Sequence, residues 1–93
     1  VDRKDQKLVL VDFWAPWCGP CLALTPEIEA TKLKWGDKLE IVKVNVDENP
    51  ALAAHLRIQA IPDVRIFRNG LQVGDFAGVL PKDEIDGLLR SLQ

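Results

Sequence analysis

The chain has 93 residues, of which 47% are apolar and 28% charged, and its formal net charge is −2. That length and apolar fraction suit one domain, residues 1–93, around a single core, and the even spread of charge argues against disorder. No basic stripe invites a phosphate backbone, no apolar run approaches the ~18 residues of a membrane span, and two cysteines do not make a disulfide scaffold.

Residues 1–7, VDRKDQK, are polar, lack periodicity and read as a lead-in. LVLVDFWA, 8–15, is a nearly continuous apolar run, which suits a central strand covered on both faces. A helix is expected from Cys18 to about Lys34. Pro20 fits its first turn, Leu24, Ile28 and Thr31 share one face, and Gly36 marks its end. Pro26 is expected to interrupt it, because proline has no N–H to give and crowds the preceding turn. LEIVKVNV, 39–46, is the next strand. Asn49 and Pro50 read as the cap and first residue of a short helix running to about Leu56. DVRIF, 63–67, and LQVGDF, 71–76, are strands joined through Asn69-Gly70, a strong hairpin signal. Pro81 opens a last helix with an apolar stripe of Ile85, Leu88, Leu89 and Leu92.

The order is β-α-β-α-β-β-α. A first parallel pair with a right-handed crossover and a closing antiparallel hairpin predict an α/β fold. Its centre is a mixed four-stranded sheet with helices on both faces.

Cys18 and Cys21 are the only cysteines, separated by Gly19 and Pro20. Zinc wants four ligands, and the sole histidine, His55, lies far along the chain in a helix, where it reads as a surface residue. A structural disulfide closing so short a loop contributes only about 2 kcal/mol on the loop-entropy formula. A redox pair is favoured by position. Cys18 stands where a buried strand gives way to a helix, whose unpaired N–H groups and positive dipole end favour a thiolate, the nucleophilic form. Cys21 lies one turn further on the same side, within disulfide reach and less exposed. Cys18 is then the attacking thiol and Cys21 the resolving one. Pro20 stiffens the turn between them. Asp12 interrupts an apolar strand and reads equally as a buried, partnered or protonated acid and as a strand-end residue facing water. The acidic stretch DENP, 47–50, reads as helix capping rather than metal binding, and no metal site is expected.

VDFWAPWCGPC resembles the active-site segment of the thioredoxin family. The resemblance continues in register through KVNVDENP (43–50), AIPDVRIFRNG (60–70) and FAGVLPKDEI (76–85). It implies a thioredoxin-like fold and a thiol–disulfide oxidoreductase that reduces protein disulfides. Such a protein needs no bound cofactor, draws electrons from an external reductase and works as a cytoplasmic monomer. It assigns Asp12 the relay of a proton to or from Cys21 and brings Lys43 near that carboxylate. It makes Ile61-Pro62 a cis bond packed against the cysteines, with the Ile61 backbone offered to an extended substrate chain. Trp17, Gly19, Pro20, Ile61, Pro62, Ala77 and Gly78 would surround Cys18 as the docking surface. Trp14 reads equally as core, and Trp35 as packing at a helix end.

The pattern departs from the family at several points. Leu22 replaces a frequent Lys or Arg, Asp63 a common Thr, and Arg57 a frequent Gly, while Arg65 enters a strand that is usually apolar. Asp63 stands to repel acidic substrates or weaken the thiolate unless an arginine offsets it. The family begins with another strand and helix, whereas seven residues precede Leu8, so the chain reads as a short form or an excised domain with strand 39–46 as an exposed edge. A chaperone-like module that docks unfolded chains through the apolar patch, and an oxidising or isomerising variant, are the competing functions.

Overall fold

A computed structural model describes residues 7–93, so all of the lead-in except Lys7 lies outside the described residues. The elements are β1 (Leu8–Trp14), α1 (Gly19–Trp35), β2 (Leu39–Asn45), α2 (Pro50–His55), β3 (Asp63–Arg68), β4 (Leu71–Ala77) and α3 (Lys82–Ser91). The sheet order is β2-β1-β3-β4. β1 runs parallel to β2 and antiparallel to β3, and β3–β4 is the hairpin. This is the mixed four-stranded sheet expected from the sequence.

β1 is central because its alternate residues are wanted on both sides. Leu8 and Leu10 join Leu24 and Ile28 of α1, Leu39, Val64, Ile66, and Ile85 and Leu89 of α3 in the main core. Burying each such aliphatic side chain contributes roughly 1.5–3 kcal/mol. α1 and α3 therefore cover one face. α2 lies against the other, where the Arg65 guanidinium donates to the Leu56 carbonyl at 3.1 Å. The core-facing stripe of α3 has a buried acid inside it. Asp86 accepts from Trp35 Nε1 at 2.8 Å and Lys34 Nζ at 3.0 Å, and pairs with Arg90 at 3.1 Å. These bonds clasp the C-terminal end of α1 to α3, and they hold the Asp86 carboxyl below the usual range, the Trp35 bond most of all.

The hairpin turn has Asn69 and Gly70 at φ 54° and 78°, the two left-handed residues that suit the strand twist. Gly74 in β4 is a different case: a Cβ there would meet Leu92 at 2.6 Å, so the missing side chain admits the end of α3.

Two expectations need correction. Pro26 does not interrupt α1, which continues through it to Trp35. The carbonyl that loses its donor belongs to Leu22, and Leu22 is exposed, so water reaches that turn. Asn49 precedes α2 but caps nothing with its side chain; its Nδ2 donates to the Asn45 carbonyl instead. Pro81 opens α3 as expected, as its N-cap residue. β2 is an edge strand among the described residues, as expected.

Candidate active site

The site is assembled where β1 ends. Cys18 is the N-cap of α1, with extended backbone (φ −90°, ψ 105°), and its Sγ accepts the Cys21 N–H at 3.1 Å. A sulfur in the place of a capping oxygen receives one of the helix's orphan N–H groups, and no acidic residue occupies the first turn to oppose negative charge there. Pro20 fits this turn because its missing N–H would have been unpaired anyway. Cys21 lies one turn in, and the two form a disulfide with Cα atoms 5.2 Å apart. No group of three or more His, Cys, Asp or Glu that could hold a metal occurs among the described residues.

The exposure expected of Cys18 requires correction. It is 5% exposed and Cys21 1%, so in the disulfide state both are buried and only their order is as expected. The surface is provided by neighbours: Trp17 is 70% exposed, Gly19 and Pro20 are open, and Leu22 and Val79 are partly so. Sγ of Cys18 lies 3.9 Å from the Ile61 carbonyl, and the Ile61-Pro62 bond is cis. The Gly78 N–H donates to the Pro62 carbonyl at 2.9 Å, fixing the 77–78 loop beside the proline. The structure thus places the Ile61-Pro62 segment beside Cys18, which follows Trp17 directly, and bonds Gly78 to that segment, with Ala77 exposed at the end of β4.

On β1, Asp12 is 1% exposed and neither carboxylate oxygen has a hydrogen-bond partner among the described residues. Burial raises its pKa to about 6, and the charge of Lys43 partly opposes that rise. Lys43 stands beside Asp12 in the β1–β2 register but makes no ion pair with it. Its exposed ammonium lies 4.4 Å from the centre of the Trp14 ring and 3.4 Å from Thr25 Oγ1. Lys43 therefore acts on Asp12 through space only. Trp14 is half-buried and packs on the small cluster of Ala15, Cys18 and Cys21.

The departures at Asp63 and Arg65 prove to be one feature. Arg65 Nε and Nη2 donate to the two Asp63 oxygens at 2.8 and 3.2 Å, with both side chains mostly buried. Asp63 thus carries its own counter-charge, and its bond and charge raise the Arg65 pKa. Sequence spacing carried this signal, since residues i and i+2 share one face of a strand. Sequence reasoning missed the bond from Trp17 Nε1 to Asp47 Oδ2, 2.8 Å long. It orients the exposed indole beside Cys18, and it joins residues 30 apart in sequence. His55 is exposed on α2, away from the cysteines.

The family model described as Thioredoxin matches residues 2–91. The chain belongs to the thioredoxin family. It is 50% identical over 79 residues to the thioredoxin of Griffithsia pacifica, covering 85% of this chain and 72% of that protein. It is 43% identical over 81 residues to thioredoxin 1 of Synechococcus elongatus, covering 87% of this chain and 76% of that protein. Among solved structures, chloroplastic thioredoxin z superposes with a TM-score of 0.84 at 35% identity, over 94% of this chain and 79% of that one. With a disulfide-forming pair at the family's site, this thioredoxin-family chain is a thiol–disulfide oxidoreductase of the protein-disulfide reductase kind.

Proposed function

We propose that Cys18 is the attacking thiol and Cys21 the resolving thiol in the reduction of protein disulfides. The observation that carries this reading is the Cys18 sulfur at the N-cap of α1, accepting the Cys21 N–H. A thiolate there keeps that donor and the helix dipole, so it is favoured without a neighbouring cation. Leu22 supplies none, and the Asp63 carboxylate is neutralised by Arg65.

In the first step the Cys18 thiolate forms a bond to one substrate sulfur, and the other leaves as a thiolate with the electron pair. In the second step Cys21 loses its proton to the Asp12 carboxylate and attacks Cys18 Sγ. The Cys18–Cys21 bond forms, the mixed disulfide breaks, and the second substrate sulfur leaves as thiolate. The protein is oxidised by two electrons and the substrate reduced. Return to the dithiol needs an external reductase, which the family membership implies. The Ile61 backbone pairs with an extended segment of substrate, while Trp17, Gly19, Pro20, Pro62, Ala77 and Gly78 give it a largely apolar seat. Reduction fits a monomer in the cytoplasm, where thiols are kept reduced.

Insulin reduction with dithiothreitol as donor tests the reading. Cys18→Ser should abolish it, and Cys21→Ser should accumulate a mixed disulfide through Cys18. Activity that survives Cys18→Ser refutes the assignment. Suppression of aggregation that survives loss of both sulfurs would instead favour the chain-docking function.

A further inference from the structure

A groove of about 500 Å³ opens between α1 and the β1–β2 pair. Ile28, Leu33 and Ile41 give it apolar walls, and Asp12, Thr25 and Lys43 bring polar groups to it. Two further charges line it from α1. Lys32 is already engaged, its ammonium donating to the carbonyls of Gly36 and Leu39. Glu29 is exposed. Opposite Asp12 on β3 stands apolar Val64. Among the described residues, Lys43 is thus the cation left to act on Asp12.

An exposed lysine on an edge strand has a flexible stem and strongly hydrated head, and would ordinarily sweep a wide volume. Here two contacts restrain it, the Trp14 ring and the Thr25 hydroxyl. The same hydroxyl donates to the Cys21 carbonyl at 3.3 Å. Having spent its proton on that carbonyl, Thr25 Oγ1 presents only lone pairs to the ammonium, which is the polarity a lysine needs.

We propose that Thr25 is a positioning residue for proton transfer at Asp12: its hydroxyl holds the Lys43 ammonium over the groove and ties that charge to the turn bearing Cys21. The proposal deepens the two-step mechanism above and rests on it. Movement of the Cys21 turn, as the disulfide forms or opens, is transmitted through the hydroxyl to the cation that sets the acidity of Asp12. Releasing Lys43 to solvent weakens its attraction for the carboxylate, so the acid becomes weaker.

The test is an NMR titration of the Asp12 carboxyl carbon in the oxidised chain, where neither cysteine titrates. Thr25→Val, which keeps shape and loses the hydroxyl, should move the Asp12 midpoint upward by about half a pH unit, the change expected when a unit charge withdraws a few ångströms at moderate effective dielectric. Thr25→Ser should restore the wild-type midpoint. Thr25→Ala provides the same deletion should valine disturb the helix. In a Lys43→Met background, Thr25→Val should produce no further shift. An unchanged midpoint in both deletion variants overturns the proposal, as does an equal shift with Lys43 absent. No turnover enters this readout, so failure of the insulin assay and failure of the Thr25 role are separable results.

Discussion

Asp12 lies 1% exposed with no hydrogen-bond partner among the described residues, and its pKa is raised from 3.8 to about 6. The cause is burial, opposed in part by Lys43. A displacement of about 2 units corresponds to roughly 3 kcal/mol between the two protonation states. Below about pH 4 the carboxyl is neutral in both folded and unfolded chains and costs nothing as a charge. Between about pH 4 and pH 6 the unfolded chain ionises first, so stability falls, and above pH 6 the full cost is present. Asp12→Asn removes the charge and preserves the shape. The variant should therefore be more stable by about 2–3 kcal/mol at pH 8, with the gain shrinking to near zero at pH 4. Urea unfolding of the oxidised protein at the two pH values reads this as a shift in midpoint at constant slope. On the proposed mechanism, the same variant should also release substrate from the mixed disulfide more slowly, because Asp12 is there the proton acceptor of Cys21. A gain independent of pH, or none at pH 8, would refute the account of Asp12 as an ionised, uncompensated acid.

Three further outcomes follow from the contacts. Asp63→Ala and Arg65→Ala should each cost about 1–3 kcal/mol, since each leaves a mostly buried charge without its partner, while the double variant costs less than their sum; chemical denaturation in a double-mutant cycle gives the coupling. Asp86→Asn should lower the melting temperature at neutral pH. Because the folded pKa of Asp86 is depressed, that difference should shrink as pH falls through the folded value, which a series of thermal melts would record. Arg57, just past the end of α2, sits at φ 58°, a conformation costly for any residue with a Cβ, so Arg57→Gly should stabilise the chain by up to about 1 kcal/mol, measurable as a raised urea midpoint.

The parts of this protein legible in its sequence were those written in adjacent residues. The apolar run of β1, the Asn69-Gly70 turn and the cysteines at a strand-to-helix junction each depend on local pattern, and the mixed four-stranded sheet, though not its strand order, was expected from such patterns. Features requiring a partner from elsewhere were hidden. The Asp86 clasp joins residues 51 and 52 apart, and only its link to Arg90 has helical spacing. Trp17 finds Asp47 only after β2 is laid beside β1. Pro26 misled for a different reason: the proline rule counts the lost hydrogen bond, whereas an exposed turn can return it from water.

The site contains two departures from ordinary carboxylate chemistry, and they differ in what the fold does about them. Asp63 adjoins the proline loop but receives two guanidinium bonds from its own strand, so its charge is spent where it sits. Asp12 stands on the neighbouring strand and receives none among the described residues. A carboxylate whose two oxygens both accept from a guanidinium has its lone pairs engaged. An unpartnered, desolvated one that titrates near neutrality can take a proton from a thiol and give it back. Its instability as an anion is the property that the proposed resolving step would use. A protein selected for stability alone would have filled that position with an apolar residue, as the rest of the α1-facing side of β1 does with Leu8 and Leu10.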